Sequence, residues 1–271
     1  MQTNPRFGTL PRPVKPESPA RRIVSLVPSL TEALFALGLG DRLVAVTDWC
    51  VHPAAEVAAL PKVGGTKTPS LDRILELEPD LVIANQEENR RRDVERLTDR
   101  GIPVWLTYPR TVRDAVTLLG ELAGLGAAAE RVDAVLRPIE RAVEDAEGHR
   151  PRRPTRFFCP IWKKPWMAVG SDTYADDLLR LCGGENVFAH HGDRRYPLVE
   201  PHEILAASPE VILLPDEPYA FGPRDVAELA ALELPAAASG RIHLIDGTLV
   251  SWYGPRIGRA IETLRPLLSA P

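Results

Sequence analysis

The sequence predicts an α/β protein of two Rossmann-like lobes joined by a long helical connector, and three observations carry that prediction. Short apolar runs alternate with helical patterns over residues 22–107, residues 112–148 hold no strand, and alternation resumes after the basic, proline-rich segment 149–156. Such alternation builds a mainly parallel sheet covered by helices on both faces. The expected divisions are a flexible arm over 1–20, an N-terminal lobe over 21–111, a helical connector over 112–152 and a C-terminal lobe over 153–271.

The first strand is the apolar run 23–27, after which Pro28 and Ser29 lead into a helix over 30–37 that stops at Gly38. Ser29 and Glu32 have the spacing of a capping box, which sets that helix start. A second strand, 43–47, delivers a loop carrying Asp48, Trp49, Cys50 and His52, and Pro53 discourages helix there. Ser70 caps a helix over 71–78 that Pro79 breaks, and 81–84 is a continuous apolar run, as in a strand buried on both faces. A helix over 89–100 ends at Gly101 and the strand 104–107 follows. The connector has helical spacing throughout, with interruptions at Gly124 and Gly126 and a kink or break at Pro138. The second lobe adds strands at 157–161, 211–214 and 242–245 and helices at 174–181, 203–207 and 255–268.

Composition narrows the function classes. The 271 residues are 44% hydrophobic and 26% charged, enough to bury two cores, so disorder and disulfide-stapled miniprotein classes are excluded. Lys and Arg number 33 against 37 Asp and Glu, so no overall basic field exists for nucleic acid, and none is expected as a partner. No run approaches the roughly 18 apolar residues that span a bilayer, so a protein that does not cross the membrane is expected, as a monomer. Five prolines fall within the first twenty residues and no apolar core of a secretory leader is visible there. The chain as written therefore reads as cytoplasmic, without signal peptide or lipoprotein cysteine, and as periplasmic or cell-surface if the true start lies upstream. Cys50, Cys159 and Cys182 lack the spacing of a zinc site or a disulfide framework and read as structural thiols.

Ligands of α/β sheets bind beyond the carboxyl ends of the strands, so the loops there are the candidates. They are aromatic and polar: Trp49 with His52, then Asn85, Gln86 and Glu87, then Tyr108, then Trp162 with Trp166, then Trp252 with Tyr253. Such rings suit a large, flat or amphipathic ligand held by apolar contact and a few polar anchors. Nucleophile-elbow, phosphate-loop, dinucleotide and zinc-protease motifs are absent from the sequence, and no catalytic or metal site is assigned. Among the histidines, adjacent His190 and His191 are the pair that could touch a metal, although neighbours in an extended loop usually diverge.

The run Leu71-Asp72-Arg73-Ile74 through Glu78-Pro79-Asp80-Leu81-Val82-Ile83-Ala84, together with Leu181-Cys182-Gly183-Gly184-Glu185-Asn186-Val187-Phe188, resembles the cobalamin-binding proteins of ABC importers. These form part of the helical-backbone class of periplasmic binding proteins, which also serve ferric siderophores and haem. The likeness runs from Arg22 to Leu268, through the segment 25–38, the helix end Ile204 to Pro209 and Gly254-Pro255-Arg256-Ile257. It implies two α/β lobes joined by one long helix, and a non-catalytic receptor that captures a corrinoid, cobalamin or cobinamide, in the cleft between them.

The resemblance also implies roles. Asp72 stands where those receptors carry a glutamate and Glu203 matches a second, the pair that docks arginines of the membrane permease. Trp49 replaces a ligand-contacting tyrosine, Tyr196 with Pro197 replaces a tryptophan-proline pair, and Trp166 or Met167 lies near another aromatic contact. Asn85 replaces a large aromatic, and Cys182 faces Arg265 where the receptor has a partner cysteine. The expected ligand-binding set is Trp49, Asn85, Gln86, Trp162, Trp166, Tyr196, Trp252 and Tyr253. The alternative is haem, ligated by Tyr196 or Tyr253, or an anionic siderophore held by Arg194, Arg195 or Arg256. A cytosolic enzyme or corrinoid-handling factor using Glu87 or His52 as acid or base is the third reading.

Overall fold

A computed structural model of the chain describes residues 20–191 and 194–269. The predicted arm lies outside them except for Ala20, which is buried and whose carbonyl accepts a bond from Arg42 Nη1 at 3.2 Å. The chain divides into two units, one of residues up to Pro109 with Val116–Arg137, the other of Arg110–Ala115 with Pro138 onward.

In the first unit the order is β1 (Ile23–Ser25), α1 (Pro28–Ala36), β2 (Leu43–Val46), α2 (Ala54–Ala58), the short hairpin β3 (Gly64–Gly65) and β4 (Thr68–Pro69), α3 (Leu71–Glu76), β5 (Leu81–Asn85), α4 (Arg91–Asp99) and β6 (Val104–Thr107). Strands pair in the order β2-β1-β5-β6, all parallel, with Val24 opposite Val82 and Ile83 opposite Trp105. All five residues of β5 are buried, as a central parallel strand requires. Val24, Ala45, Val82, Ala84 and Val104 from the sheet close with Ile74, Val94 and Leu97 from α3 and α4 into one core cluster.

Helix α1 starts earlier than the capping-box spacing predicts. Val27 is its N-cap and Pro28 its first residue, a position where a missing N–H costs nothing. Ser29 therefore lies inside the helix, and its buried hydroxyl has no hydrogen-bond partner among the described residues.

The expected connector is two helices, α5 (Val112–Ala123) and α6 (Ala129–Gly148), rather than one. Their break falls where Gly124 and Gly126 predict it, and the carbonyl of Leu125 caps the turn by accepting from Arg42. Pro138, expected to kink or break the chain, lies inside an unbroken α6.

In the second unit follow β7 (Thr155–Phe158), β8 (Pro160–Trp162), β9 (Trp166–Ala168), α7 (Tyr174–Leu181), β10 (Gly184–Asn186), β11 (Leu198–Val199), α8 (Pro201–Ala207), β12 (Val211–Pro215), α9 (Pro223–Ala230), α10 (Pro235–Ala238), β13 (Ile242–Ile245), α11 (Thr248–Ser251) and α12 (Ile257–Leu268). A parallel sheet runs in the order β10-β7-β12-β13, and a separate antiparallel sheet in the order β11-β9-β8. Phe158, Trp166, Phe188, Ile212, Leu214 and Phe221 lead the core. Asn186 ties three elements: its Nδ2 donates to the Val169 carbonyl at 3.0 Å and to Asp176 Oδ1 at 2.7 Å, while its Oδ1 accepts the Phe188 N–H at 2.9 Å.

Candidate functional site

In the first unit Trp49 is 65% exposed, the most exposed of the large hydrophobic side chains. The residue beside it anchors the loop that carries the ring. Cys50 is buried, its Sγ lies 3.2 Å from both Thr31 Oγ1 and Thr47 Oγ1, and its carbonyl accepts from Lys62 Nζ at 3.1 Å. Thr31 in turn bonds Ser25 Oγ at 2.8 Å, so the loop is rooted on β1 and α1. Gly65 flanks the ring, where a Cβ would lie 3.5 Å from the indole nitrogen, an ordinary van der Waals contact, and 3.2 Å from Thr68 Oγ1.

The loop after β5 is organised by side-chain amides. Asn85, 1% exposed, accepts the Glu87 N–H at 2.7 Å and donates to Thr107 Oγ1 at 3.3 Å. This is an Asx turn locked to the neighbouring strand. Asn89, also buried, accepts the Asn85 N–H at 2.7 Å and donates to the carbonyls of Leu26 and Thr66 at 3.3 and 2.9 Å. One carboxamide thus joins the loops after β1, β3 and β5. That use of Asn89 also moves the start of α4 from the predicted residue 89 to Arg91. Gln86, half-buried, borders an open depression of about 380 Å³ with Lys67, Glu87, Asn89 and Arg90 to Arg92.

In the second unit the tryptophans divide. Trp162 and Trp166 lie in β8 and β9 rather than in the predicted loop. Trp162 is 44% exposed and meets Tyr219 edge-on at 5.6 Å, whereas Trp166 is buried and stacks on Phe221 at 5.8 Å and 9°. Lys163 between them is buried, with its ammonium 2.6 Å from both Asp225 Oδ1 and Glu228 Oε2. Burial alone would lower its pKa, but the two carboxylates reverse the sign and hold it above the ordinary lysine value. For Asp225 the burial penalty is likewise outweighed by the bonds from Lys163 and the Gly222 N–H, and its pKa is held below the usual carboxylate value.

Trp252 is buried, donates Nε1–H to Glu217 Oε1 at 2.9 Å and lies 4.9 Å beneath the Arg256 guanidinium. Glu217 also accepts from Ser251 Oγ at 2.7 Å, and Asp216 Oδ1 accepts the Gly247 N–H at 2.7 Å, so the loops after β12 and β13 are fastened together. Tyr253 is buried edge-on against Tyr174 at 5.8 Å. Tyr196 is half-buried. Of the eight expected ligand residues, Trp49, Gln86, Trp162 and Tyr196 present surface, while Asn85, Trp166, Trp252 and Tyr253 are buried. Asn89, Glu217 and Lys163 were not singled out from sequence.

The two acids differ. Asp72 is exposed in the first turn of α3, which Ser70 caps. Glu203 is half-buried and its Oε2 accepts the Glu200 N–H at 2.7 Å, so it caps α8. The adjacent His190 and His191 do not diverge: their rings lie 4.2 Å apart at 37°. Among the described residues no three metal-ligating side chains converge.

The profile of the family described as "Periplasmic binding protein" matches residues 23–249. The chain is 28% identical over 244 residues to the vitamin B12-binding protein of Vibrio parahaemolyticus, covering 90% of this chain and 87% of that one. It is 31% identical over 202 residues to the vitamin B12-binding protein of Yersinia pestis, covering 73% and 71%. Among solved structures, the periplasmic vitamin B12-binding protein BtuF of Vibrio cholerae matches with a TM-score of 0.80 and 27% identity, covering 92% and 96%. The apo periplasmic haem-binding protein RhuT of Roseiflexus sp. RS-1 matches with a TM-score of 0.77 at 24% identity, covering 92% and 97%, a likeness of fold. The family and these relatives are binding proteins.

These matches correct the cytoplasmic expectation, because the family and its solved members are periplasmic. The cysteines do not report the compartment, for a physical reason. All three are buried and unpaired, and burial pushes the Cys159 and Cys182 thiols up to about 12. A shielded, protonated thiol persists in either redox environment. No helix among the described residues is long and apolar enough to cross a membrane.

Proposed function

Since the chain belongs to the periplasmic binding protein family, we propose that it is a non-catalytic receptor that captures a corrinoid, cobalamin or cobinamide, for an ABC importer. The observation that carries this reading is the match to vitamin B12-binding proteins across both units, supported by BtuF at a TM-score of 0.80. Trp49 and Trp162 supply exposed apolar faces for a large, flat macrocycle, and Gln86 and Tyr196 supply polar edges for its amides. The buried partners beneath them act as support, which keeps the ordering cost of binding low. Asp72 and Glu203 are the acids that would meet basic residues of a permease.

The haem alternative draws less support from this chain. Ligation of haem iron by Tyr253 would require withdrawing a ring that is 5% exposed and packed on Tyr174. The experiment that separates the two follows tryptophan emission of the purified protein while dicyanocobinamide or haemin is added, with absorbance recorded in parallel. Saturable quenching by the corrinoid without a shifted Soret band on haemin addition is the expected result. A shifted Soret band with no corrinoid response contradicts the proposal.

A further inference from the structure

The depression beside Gln86 has a charge that the corrinoid reading does not use. Seven residues line it, and four of them, Lys67, Arg90, Arg91 and Arg92, are cationic, against one carboxylate, Glu87. This concentration sits on a chain whose formal net charge is -4, so it is local and not a reflection of composition. Two of the cations are partly neutralised by neighbours on the same helix: Arg91 Nε lies 2.6 Å from Glu95 Oε1, and Arg92 Nε lies 3.5 Å from Asp93 Oδ1. Lys67 donates its ammonium to the carbonyl of Glu87, which places that charge over the loop. Arg90 forms no ion pair with any described carboxylate.

The floor is rigid, because the Asn85 and Asn89 carboxamides hold the loop backbone from beneath. The nine-residue helix α4 begins at its rim, so the positive end of that helix adds to the same field. The depression is open, and its volume of about 380 Å³ has room for a phosphate or carboxylate group. The depression opens at the carboxyl end of β5, where ligands of parallel sheets bind.

The geometry points to a subsite for an anionic group, a phosphate or carboxylate at the edge of the captured ligand, held by Arg90 and Arg92 with Lys67 beside them. This rests on the receptor reading and specifies it: the preferred cargo carries negative charge on its periphery.

Two measurements on the full chain test the subsite, with Arg90→Gln/Arg92→Gln as the variant. The first titrates inorganic phosphate while the backbone amide resonances of residues 86–92 are followed. Saturable shifts that vanish in the variant are expected, and shifts that are absent, or unchanged in the variant, overturn the subsite. The second compares cyanocobalamin with the monocarboxylate made by hydrolysing one of its side-chain amides. The unaltered protein is expected to bind the carboxylate form about fivefold more tightly, the factor an exposed ion pair supplies, and to lose that preference in the variant or in high salt. Equal affinities, or a preference the variant retains, overturn the subsite while leaving the receptor reading intact. Phosphate saturation with no corrinoid binding leaves the anion subsite standing and overturns the receptor reading instead.

Discussion

Trp49 and Cys50 show how adjacent residues divide one task. The thiol is buried and hydrogen-bonded and anchors the loop, and the indole it carries is exposed. Replacing Trp49 by Ala is expected to weaken corrinoid binding by about tenfold to a hundredfold, as loss of an aromatic anchor does. The thermal midpoint should not move, because a side chain 65% exposed contributes little to the core. Parallel calorimetric titration and thermal unfolding check both halves. Asn89→Ala should behave in the opposite way. It strips partners from one buried N–H and two carbonyls, so urea unfolding should report a loss of about 2 kcal/mol or more. Amide exchange of residues 85–89 should quicken with it. The placement of Trp49 was legible because an aromatic in a loop after a strand is unusual on its face. The role of Asn89 was not, since its partner Leu26 lies 63 positions away and no local spacing encodes that bond.

At the scale of elements, the parallel strands and most helices could be read because continuous apolar runs and helical periodicity are local signals. The β8-β9-β11 sheet could not: its strands have three, three and two residues and include Pro160, below the length at which alternation is visible. Trp166 was accordingly expected in a loop and is found in a strand, facing the core. That small sheet is bound to α9 through Lys163, which reaches Asp225 and Glu228 from the turn after β8. Lys163→Met should destabilise the protein by about 3 kcal/mol, since Asp225 is left buried without its counter-charge. The pH dependence has a definite sign. Asp225 has a depressed pKa, so its contribution is present above the unfolded carboxylate value and is lost as pH falls through the lower folded value. Lys163 has a raised pKa, so its contribution is present below the ordinary lysine value and is lost as pH rises past it. Thermal midpoints of the unaltered protein and the variant should therefore differ most near neutrality and converge in strong acid.

For the whole molecule, the two parallel sheets, the helical stretch between them and the family membership belong together, and the motifs spread over the full length made that membership legible. The compartment was not legible from residues 1–20, whose five prolines and lack of an apolar core gave the cytoplasmic reading that the periplasmic relatives overturn. Reversing charge at both acids, Asp72→Arg with Glu203→Arg, should abolish ligand delivery to an ABC permease in proteoliposomes while corrinoid affinity stays unchanged. A parallel fall in affinity would contradict a docking role. Glu203→Arg should also lower stability by about 1 kcal/mol through loss of the α8 cap, which Glu203→Gln would restore without restoring docking.

The central claim is capture of a corrinoid, and isothermal calorimetry with cyanocobalamin tests it most directly. The account predicts a saturable isotherm with one ligand per chain, no consumption of the ligand on prolonged incubation, and weaker binding by the Trp49→Ala protein. Heats no larger than dilution across the titration, from a protein whose folding is verified in the same sample, would contradict it.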